Sequence, residues 1–292
     1  MIKLKSYAKI NLFLEVNFKL ESGYHDITTL FSEINLHDIV KFSLTKNRKI
    51  ILLSNIKFLA NKFNLIYKIA VFIQDKYCVQ SGALINLIKH IPISAGLGGG
   101  SSNAATAIKA LSKLWKLDLS KEEMHEIASN FGSDINFFLE GYQAIGTNRG
   151  DIIHPINDDI FIDNILLVNP GFPISSAEAY QCTNGVPPFS VSPISDRHNI
   201  NGETPFVQSI NGETPFVPFN RLELGISKKY PIIQSSLDLL KANGASNAIL
   251  SGSGATMIGF FDNPETLEKA QKIFTDMNFW SYKTTTRRRQ KK

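Results

Sequence analysis

Two short stretches carry residues whose types and spacing could do chemistry: PISAGLGGGSSNAA, Pro92 to Ala105, and GSDINFFLEG, Gly132 to Gly141. In the first, Gly96, Gly98, Gly99 and Gly100 run into Ser101 and Ser102 ahead of an apolar helical pattern. Glycine reaches backbone conformations closed to other residues and lets foreign atoms approach the main chain. Placed before a helix, such a loop aims several N–H groups and the positive end of the helix dipole at one anion, and phosphate is the expected guest. A plain strand-to-helix turn would need only one or two glycines, so the phosphate reading leads.

The kind of phosphate loop is narrowed by what is missing. A Walker A loop ends in Gly-Lys-Ser or Gly-Lys-Thr, whereas Gly100 is followed by Ser101 and Ser102. A dinucleotide GxGxxG starting at Gly96 would need glycine at Ser101, and one starting at Gly98 would need it at Asn103. The HRD and DFG strings of protein kinases do not occur. In the second stretch Asp134 follows a helix that Gly132 terminates, in a short loop where a carboxylate can face a cleft and accept a hydroxyl proton. An Asp beside a glycine is by itself most often a turn residue. Lys9 is the second candidate, because an ammonium on an apolar strand is costly unless it snorkels or meets an anion.

The elements that must position these groups follow from periodicity. Ala8, Ile10, Leu12, Leu14 and Val16 alternate along a strand, leaving Lys9, Asn11, Phe13 and Glu15 on its other face. A turn covers Leu20 to Ile27, and Ile39 to Leu53 reads as strand broken by TKNRK. Asn64 opens a helix with Ile66, Ile69, Ala70 and Ile73 on one side. A strand over Ala83 to Ile88 enters the glycine loop, and Ala104, Ala107, Ile108, Leu111 and Trp115 define a helix with Ser101 and Ser102 as its expected N-caps. Ser120 and Glu123 form a capping-box pattern ahead of Met124, Ile127, Ala128 and Phe131.

From about Ile160 the pattern restarts with the strand NILLVNP, the helix-like SSAEAYQ, a long loop, two helix candidates and a second glycine cluster, LSGSGAT. The polar break at Asn157 to Asp159 is the expected boundary between domains 1–158 and 159–292. Residues 183–218 read as a loop-rich insertion in which INGETPFV occurs at Ile200 and again at Ile210, a duplicated surface loop rather than a solenoid.

The 292 residues, 43% of them hydrophobic, suffice for one large or two ordinary domains. The formal charge of +5 is matched by the five basic residues of the terminal RRRQKK, 287–292, so the body of the chain is neutral. That disfavours a nucleic-acid partner, and the basic tail reads as a solvated terminus. Cys78 and Cys182 have neither metal-site nor disulfide-framework spacing. No secretory h-region and no membrane-length apolar stretch is evident, so a cytoplasmic protein with no membrane partner is expected.

PISAGLGGGSSNAA resembles the second motif of the GHMP kinases; YAKINLFLEV from Tyr7 resembles their first, and LSGSGATMIGFF from Leu250 their third. Three motifs in order, from residue 7 to 261, cover nearly the whole chain. The resemblance implies an α+β, two-domain GHMP-kinase fold with an active-site cleft between the domains, and ATP with Mg2+ as phosphoryl donor. It assigns ATP to Ala95, Gly96, Leu97, Gly98, Gly99, Gly100, Ser101 and Ser102, with Asn64 near the adenine, although an asparagine at a helix start is commonly a cap. Asp134 is the implied base, Lys9 its partner, and Asn11 a contact to the acceptor; no residue is assigned as a metal ligand.

Within the family, GYH at Gly23 to His25, with AKINLFL, GLGGGSSNAA and GSDINFFLEG, resembles the branch whose small-molecule acceptor carries a nucleobase. The implied substrate is a cytidine-diphosphate-linked methylerythritol, phosphorylated on its 2-hydroxyl in the non-mevalonate route to isoprenoid precursors. Tyr24 and His25 then serve the cytosine, with Tyr180 as a second stacking aromatic and Ser176 as a polar contact. Gly252 and Gly254 either line the cleft or make a tight turn between the domains. The chain departs from the family pattern at Ser133 (usually alanine), at Asn136 (usually proline) and in the NRGD at Asn148 (commonly GRGE). A kinase for another alcohol is the nearest alternative. An inactive binding module would have been expected to lose Asp134 or Lys9, and both are present. A monomer or a homodimer is expected.

Overall fold

The first two strands are the longest elements. β1 (Ile2–Lys19) and β2 (His25–Thr45) pair antiparallel from Ile2 opposite Phe42 to Lys19 opposite His25. The turn between them is closed by Gly23 N–H donating to the Leu20 carbonyl at 2.9 Å. Register shifts at Tyr7/Lys9, Asn11/Phe13 and Val16/Phe18 interrupt the pairing. Such bulges twist a strand and re-aim its side chains, and here they fall on either side of Lys9 and Asn11. The structure, a computed structural model, describes residues 1–156, 160–183 and 217–289.

β3 (Ile50–Ser54), β4 (Gly82–Ile88) and β8 (Phe219–Asn220) complete the path β3-β4-β2-β1-β8. β5 (Gln143–Thr147) joins β2, and β6 (Ile152–Pro155) joins β5. α1 (Leu65–Lys76), α2 (Gly99–Leu114), α3 (Lys121–Ser129) and α4 (Asp134–Glu140) accompany this sheet. The stripe read from the sequence, Ile66, Ile69, Ala70 and Ile73, is fully buried with Ala104, Ala107, Ile108 and Leu111 of α2. Each isoleucine or leucine among them contributes roughly 1.5 to 3 kcal/mol by leaving water. α3 starts at the capping box expected of Ser120 and Glu123.

The second sheet runs β11 (Trp280–Thr284), β7 (Ile165–Asn169), β10 (Met257–Phe261), β9 (Ala245–Leu250), all antiparallel. α5 (Ser176–Gln181), α6 (Leu222–Lys229), α7 (Pro231–Ala242) and α8 (Pro264–Asp276) belong to this half. Ala8, Ile10 and Leu12 of β1 share one buried cluster with Ile165, Leu167, Ile249 and Ile258. β1 is therefore covered on both faces where the sequence alone suggests one apolar face, because the second half packs on it.

The expected boundary, 157–159, lies outside the described residues, as do 184–216 and 290–292, which take in nearly all of the doubled INGETPFV. The second half returns twice to the first sheet. Phe219 and Asn220 pair parallel with Phe13 and Leu14, and Thr286 bridges Ile34. Among the described residues no helix is long and apolar enough to cross a membrane.

The basic tail, read as a solvated terminus, is docked as far as Arg289, and that expectation is corrected. Arg287 pairs with the buried carboxylate of Glu33. Its guanidinium lies 3.5 Å from the ring centre of Tyr7 and 4.8 Å from that of Tyr142. Arg289 donates to the Ile156 carbonyl. The reason is Glu33: burial pushes its carboxyl up, and Arg287 is the counter-charge that opposes this.

Candidate active site

The glycine loop leaves β4 and turns into α2 at Gly98, whose left-handed backbone (φ +64°) makes it the N-cap. A Cβ there would stand 2.8 Å from Phe138 and 2.9 Å from Lys9, so glycine is required both by conformation and by space. The helix thus begins at Gly99, two residues before the expected caps Ser101 and Ser102. Ser102 is corrected a second time. Its hydroxyl lies 2.7 Å from Ser6 Oγ, its N–H donates to the Gly98 carbonyl, and it is buried behind the loop rather than facing the cleft.

A cavity of about 1310 Å³ opens in front of the loop, between the two halves. Ala95, Gly96, Leu97, Gly98, Gly99, Gly100 and Ser101 line one wall. Asn64 lines it too, while its side chain caps α1 and ties it to the preceding turn: Oδ1 accepts from Ile66 N–H at 2.9 Å and Nδ2 donates to the Leu59 carbonyl. The loop meets the second glycine cluster directly, since a Cβ on Gly96 would lie 2.2 Å from the Ser251 carbonyl oxygen. Asn220 Nδ2 holds that cluster by donating to the carbonyls of Leu250 and Gly252, each at 2.8 Å. Gly252 lines the cleft, and a Cβ there would lie 3.0 Å from Asn11 Oδ1 and 3.3 Å from Lys9 Nζ.

Lys9 and Asp134 come together in the cavity floor. Lys9 Nζ donates to Asn11 Oδ1 at 2.6 Å and lies 3.7 Å from Asp134 Oδ2. Burial holds the Lys9 ammonium below its ordinary pKa, with Asp134 pulling the other way. Asn11 in turn donates to Thr29 Oγ1 at 2.7 Å, and Thr29 to the Phe13 carbonyl, so the amide has one orientation. Asp134 is the first residue of α4 rather than a loop residue, about one-third exposed. The helix dipole favours a carboxylate at that end.

Asn136, where the family pattern has proline, braces this helix. Its Nδ2 donates to Ser129 Oγ at 3.1 Å and to the Asp151 carbonyl at 3.2 Å, while Oδ1 faces His125 Nδ1 at 3.0 Å. His125 Nε2 sits 2.8 Å from Glu140 Oε1 at the far end of α4. The departure from proline was visible in the sequence; its partners on α3 and in the β5–β6 turn were not.

Tyr24, His25, Ser176 and Tyr180 all line the opposite end of the cavity. His25 and Tyr180 stack on each other, 5.1 Å between centroids and 9° between planes. Burial, aided by Lys19, lowers the His25 pKa; burial, aided by Asp134, raises that of Tyr180. The exposed Tyr24 ring is covered by Arg149, 4.9 Å from its centre, and Arg149 is fixed by Asp151 at 3.0 Å. The sequence singled out NRGD without giving Arg149 a role. Its place over Tyr24 is the missing one.

A two-domain α+β body with a glycine-rich loop at a helix start, an inward lysine and a carboxylate beside it in one cleft is the arrangement expected of a small-molecule kinase. The profile of the GHMP kinases N terminal domain matches residues 64–142, and that of the GHMP kinases C terminal region matches residues 210–278. The chain belongs to the GHMP kinase family. Within it, the chain is similar to the 4-diphosphocytidyl-2-C-methyl-D-erythritol kinases of Thermoanaerobacter pseudethanolicus and Thermodesulfovibrio yellowstonii. The first is 39% identical over 283 residues, covering 94% of this chain and 92% of that protein. The second is 36% identical over 274 residues, covering 94% of each. The fold also superposes on a crystal structure of 4-(cytidine 5'-diphospho)-2C-methyl-D-erythritol kinase, with a TM-score of 0.80 at 24% identity over 98% of this chain and 100% of that one. Against Leishmania major mevalonate kinase the TM-score is 0.67 at 15% identity, over 98% and 96% of the two chains.

Proposed function

We propose that this enzyme transfers the γ-phosphoryl group of ATP to the 2-hydroxyl of 4-diphosphocytidyl-2-C-methyl-D-erythritol. The observation that carries the reading is the juxtaposition of Lys9, Asn11 and Asp134 between the phosphate loop at one end of the cavity and Tyr24, His25 and Tyr180 at the other. An ATP tail on the loop amides and a cytidyl group at the aromatic end would bring the acceptor alcohol to the carboxylate.

Phosphoryl transfer asks the protein mainly for alignment and charge stabilisation. Asp134 would accept the hydroxyl proton as the new P–O bond forms and the bond to the ADP leaving oxygen breaks. Lys9, buried and paired, would keep that carboxylate ionised and offer positive charge to the transferring group. Asn11, held by Thr29, orients Lys9 and stands within reach of the acceptor. The cytosine would replace one of the two partners in the His25 and Tyr180 stack, or lie on Tyr24 with Arg149 moved aside. Each such face is worth roughly 1 to 3 kcal/mol.

Mg2+ is proposed as the counter-ion of the triphosphate. Among the described residues no group of three or more His, Cys, Asp or Glu forms a metal cage. Ser101 and Asp134, which line the cavity, carry a hydroxyl and a carboxylate that would fit an ion that keeps most of its oxygens from phosphate and water. The free cysteines Cys78 and Cys182 support a reducing, cytoplasmic setting.

The test is ADP release in a coupled assay, with the cytidyl acceptor set against mevalonate and homoserine. Preferential turnover of the cytidyl compound is the expected result. Equal or better turnover of either competitor would transfer the enzyme to another branch of the family.

A further inference from the structure

We propose that Asp38, a residue that touches no substrate, positions the triphosphate loop by pinning both of its ends to one carboxylate, and thereby sets the affinity for ATP. Asp38 lies on β2, is fully buried, and is absent from the cavity wall. Its Oδ1 accepts from His90 N–H at 2.7 Å and Ile91 N–H at 2.9 Å. Its Oδ2 accepts from Lys89 Nζ and from Asn103 Nδ2, the latter at 2.8 Å.

Those donors are not scattered. Residues 89–91 are where the chain enters the glycine loop, and Asn103 opens the second turn of α2, where the loop is left behind. Between them, residues 92–101 line the cavity and form the mouth that would hold the phosphates. Glycine-rich segments lose the most conformational freedom on ordering, so fixing the two ends removes much of what an incoming anion would otherwise have to order.

A second consequence concerns Lys89. Its Nζ lies 3.4 Å from Asn103 Oδ1 and 2.7 Å from where a Cβ on Gly99 would be, and Lys89 lines the cavity. Asp38 therefore also anchors a cation beneath the first turn of α2. Burying a carboxylate is costly without such compensation, and an apolar pair would serve stability as well. The ionic version adds aim.

The inference rests on the kinase reading, so the experiment measures the loop without turnover. The Kd of a non-hydrolysable ATP analogue is read by calorimetry, and the KM of the acceptor separately by ADP release, for Asp38→Asn and Asn103→Ala. Asp38→Asn turns amide N–H groups toward Lys89 and Asn103; Asn103→Ala frees the far end of the loop from Asp38 and Ser6, removes the longer contact of Lys89 with Asn103, and leaves the Asp38–Lys89 pair. The expected result is a Kd raised about tenfold or more in Asp38→Asn and about fivefold in Asn103→Ala, with the acceptor KM within about twofold. If Asp38→Asn does not fold, Asn103→Ala decides. A folded variant with lowered thermal midpoint but unchanged analogue Kd would overturn the proposal, and so would parallel weakening of both ligands. Tight analogue binding without turnover of the cytidyl acceptor would count against the substrate reading and leave the loop result standing.

Discussion

Lys9 Nζ stands 3.7 Å from Asp134 Oδ2, an ammonium from the first strand and a carboxylate from the first turn of a helix that begins 125 residues later. Replacing Asp134 by Asn removes the proposed proton acceptor while keeping its shape. Turnover is expected to fall roughly 10² to 10⁴-fold, with binding of an ATP analogue retained. Near-normal single-turnover rates in a rapid-quench experiment would remove Asp134 from the role of base.

Burial lowers the Lys9 pKa from 10.5, the Asp134 charge opposing it. The ammonium is therefore lost, as pH rises, earlier than from an ordinary lysine. The kcat profile is expected to fall on an alkaline limb whose midpoint lies below 10.5. Lys9→Arg should be slower, yet its limb should move out of range because a guanidinium titrates above about 12. A limb unchanged in Lys9→Arg would assign it to another group.

Tyr24 is exposed and is covered by Arg149. Tyr24→Ala is expected to raise the acceptor KM by the loss of one stacking face, about 1 to 3 kcal/mol or roughly 5- to 150-fold, and to leave the KM for ATP alone. Equal losses for both substrates would contradict a cytosine at that end of the cavity.

Asn136 ties α4 to α3 and to the turn that carries Arg149. Asn136→Ala should lower kcat about tenfold through a looser Asp134 and change either KM by less than about twofold. Asn136→Pro is tolerated by the backbone, since it falls within the first turn of the helix, and should share the kcat loss because the amide is gone. Full activity in both variants would show the brace to be structural only.

Arg287 counters the buried Glu33 and lies over Tyr7 and Tyr142. Removing one partner of a buried pair costs about 3 kcal/mol, so Arg287→Ala should lower the unfolding free energy by that amount, which at an unchanged m-value of about 1 to 3 kcal/mol/M moves the urea midpoint down by about 1 to 3 M. Arg288, exposed and over Phe161, should cost less than about 1 kcal/mol when changed to Ala. Equal costs for the two would mean that Arg287 and Glu33 are not coupled.

Much of this molecule is decided along the chain. The stripes of α1 and α2, the capping box of α3, the strand that turns Lys9 and Asn11 to one side and the glycine loop are local patterns. They are legible because side-chain periodicity and backbone freedom act over a few residues. What tertiary structure alone decided are relations between distant charges and rings. Ser102 faces Ser6 because the helix is capped at Gly98, where a Cβ would meet Lys9 and Phe138. The terminal arginines are docked because Glu33 is buried and needs a counter-charge 254 residues away. Arg149 covers Tyr24 and His25 stacks on Tyr180 because the fold brings separate segments to one place, and Asp38 gathers both ends of the glycine loop because burial makes an unpartnered carboxylate expensive and the fold supplies its partners from elsewhere in the chain. Periodicity fixes which face of an element is apolar; it says nothing of which face of another element will arrive to meet it.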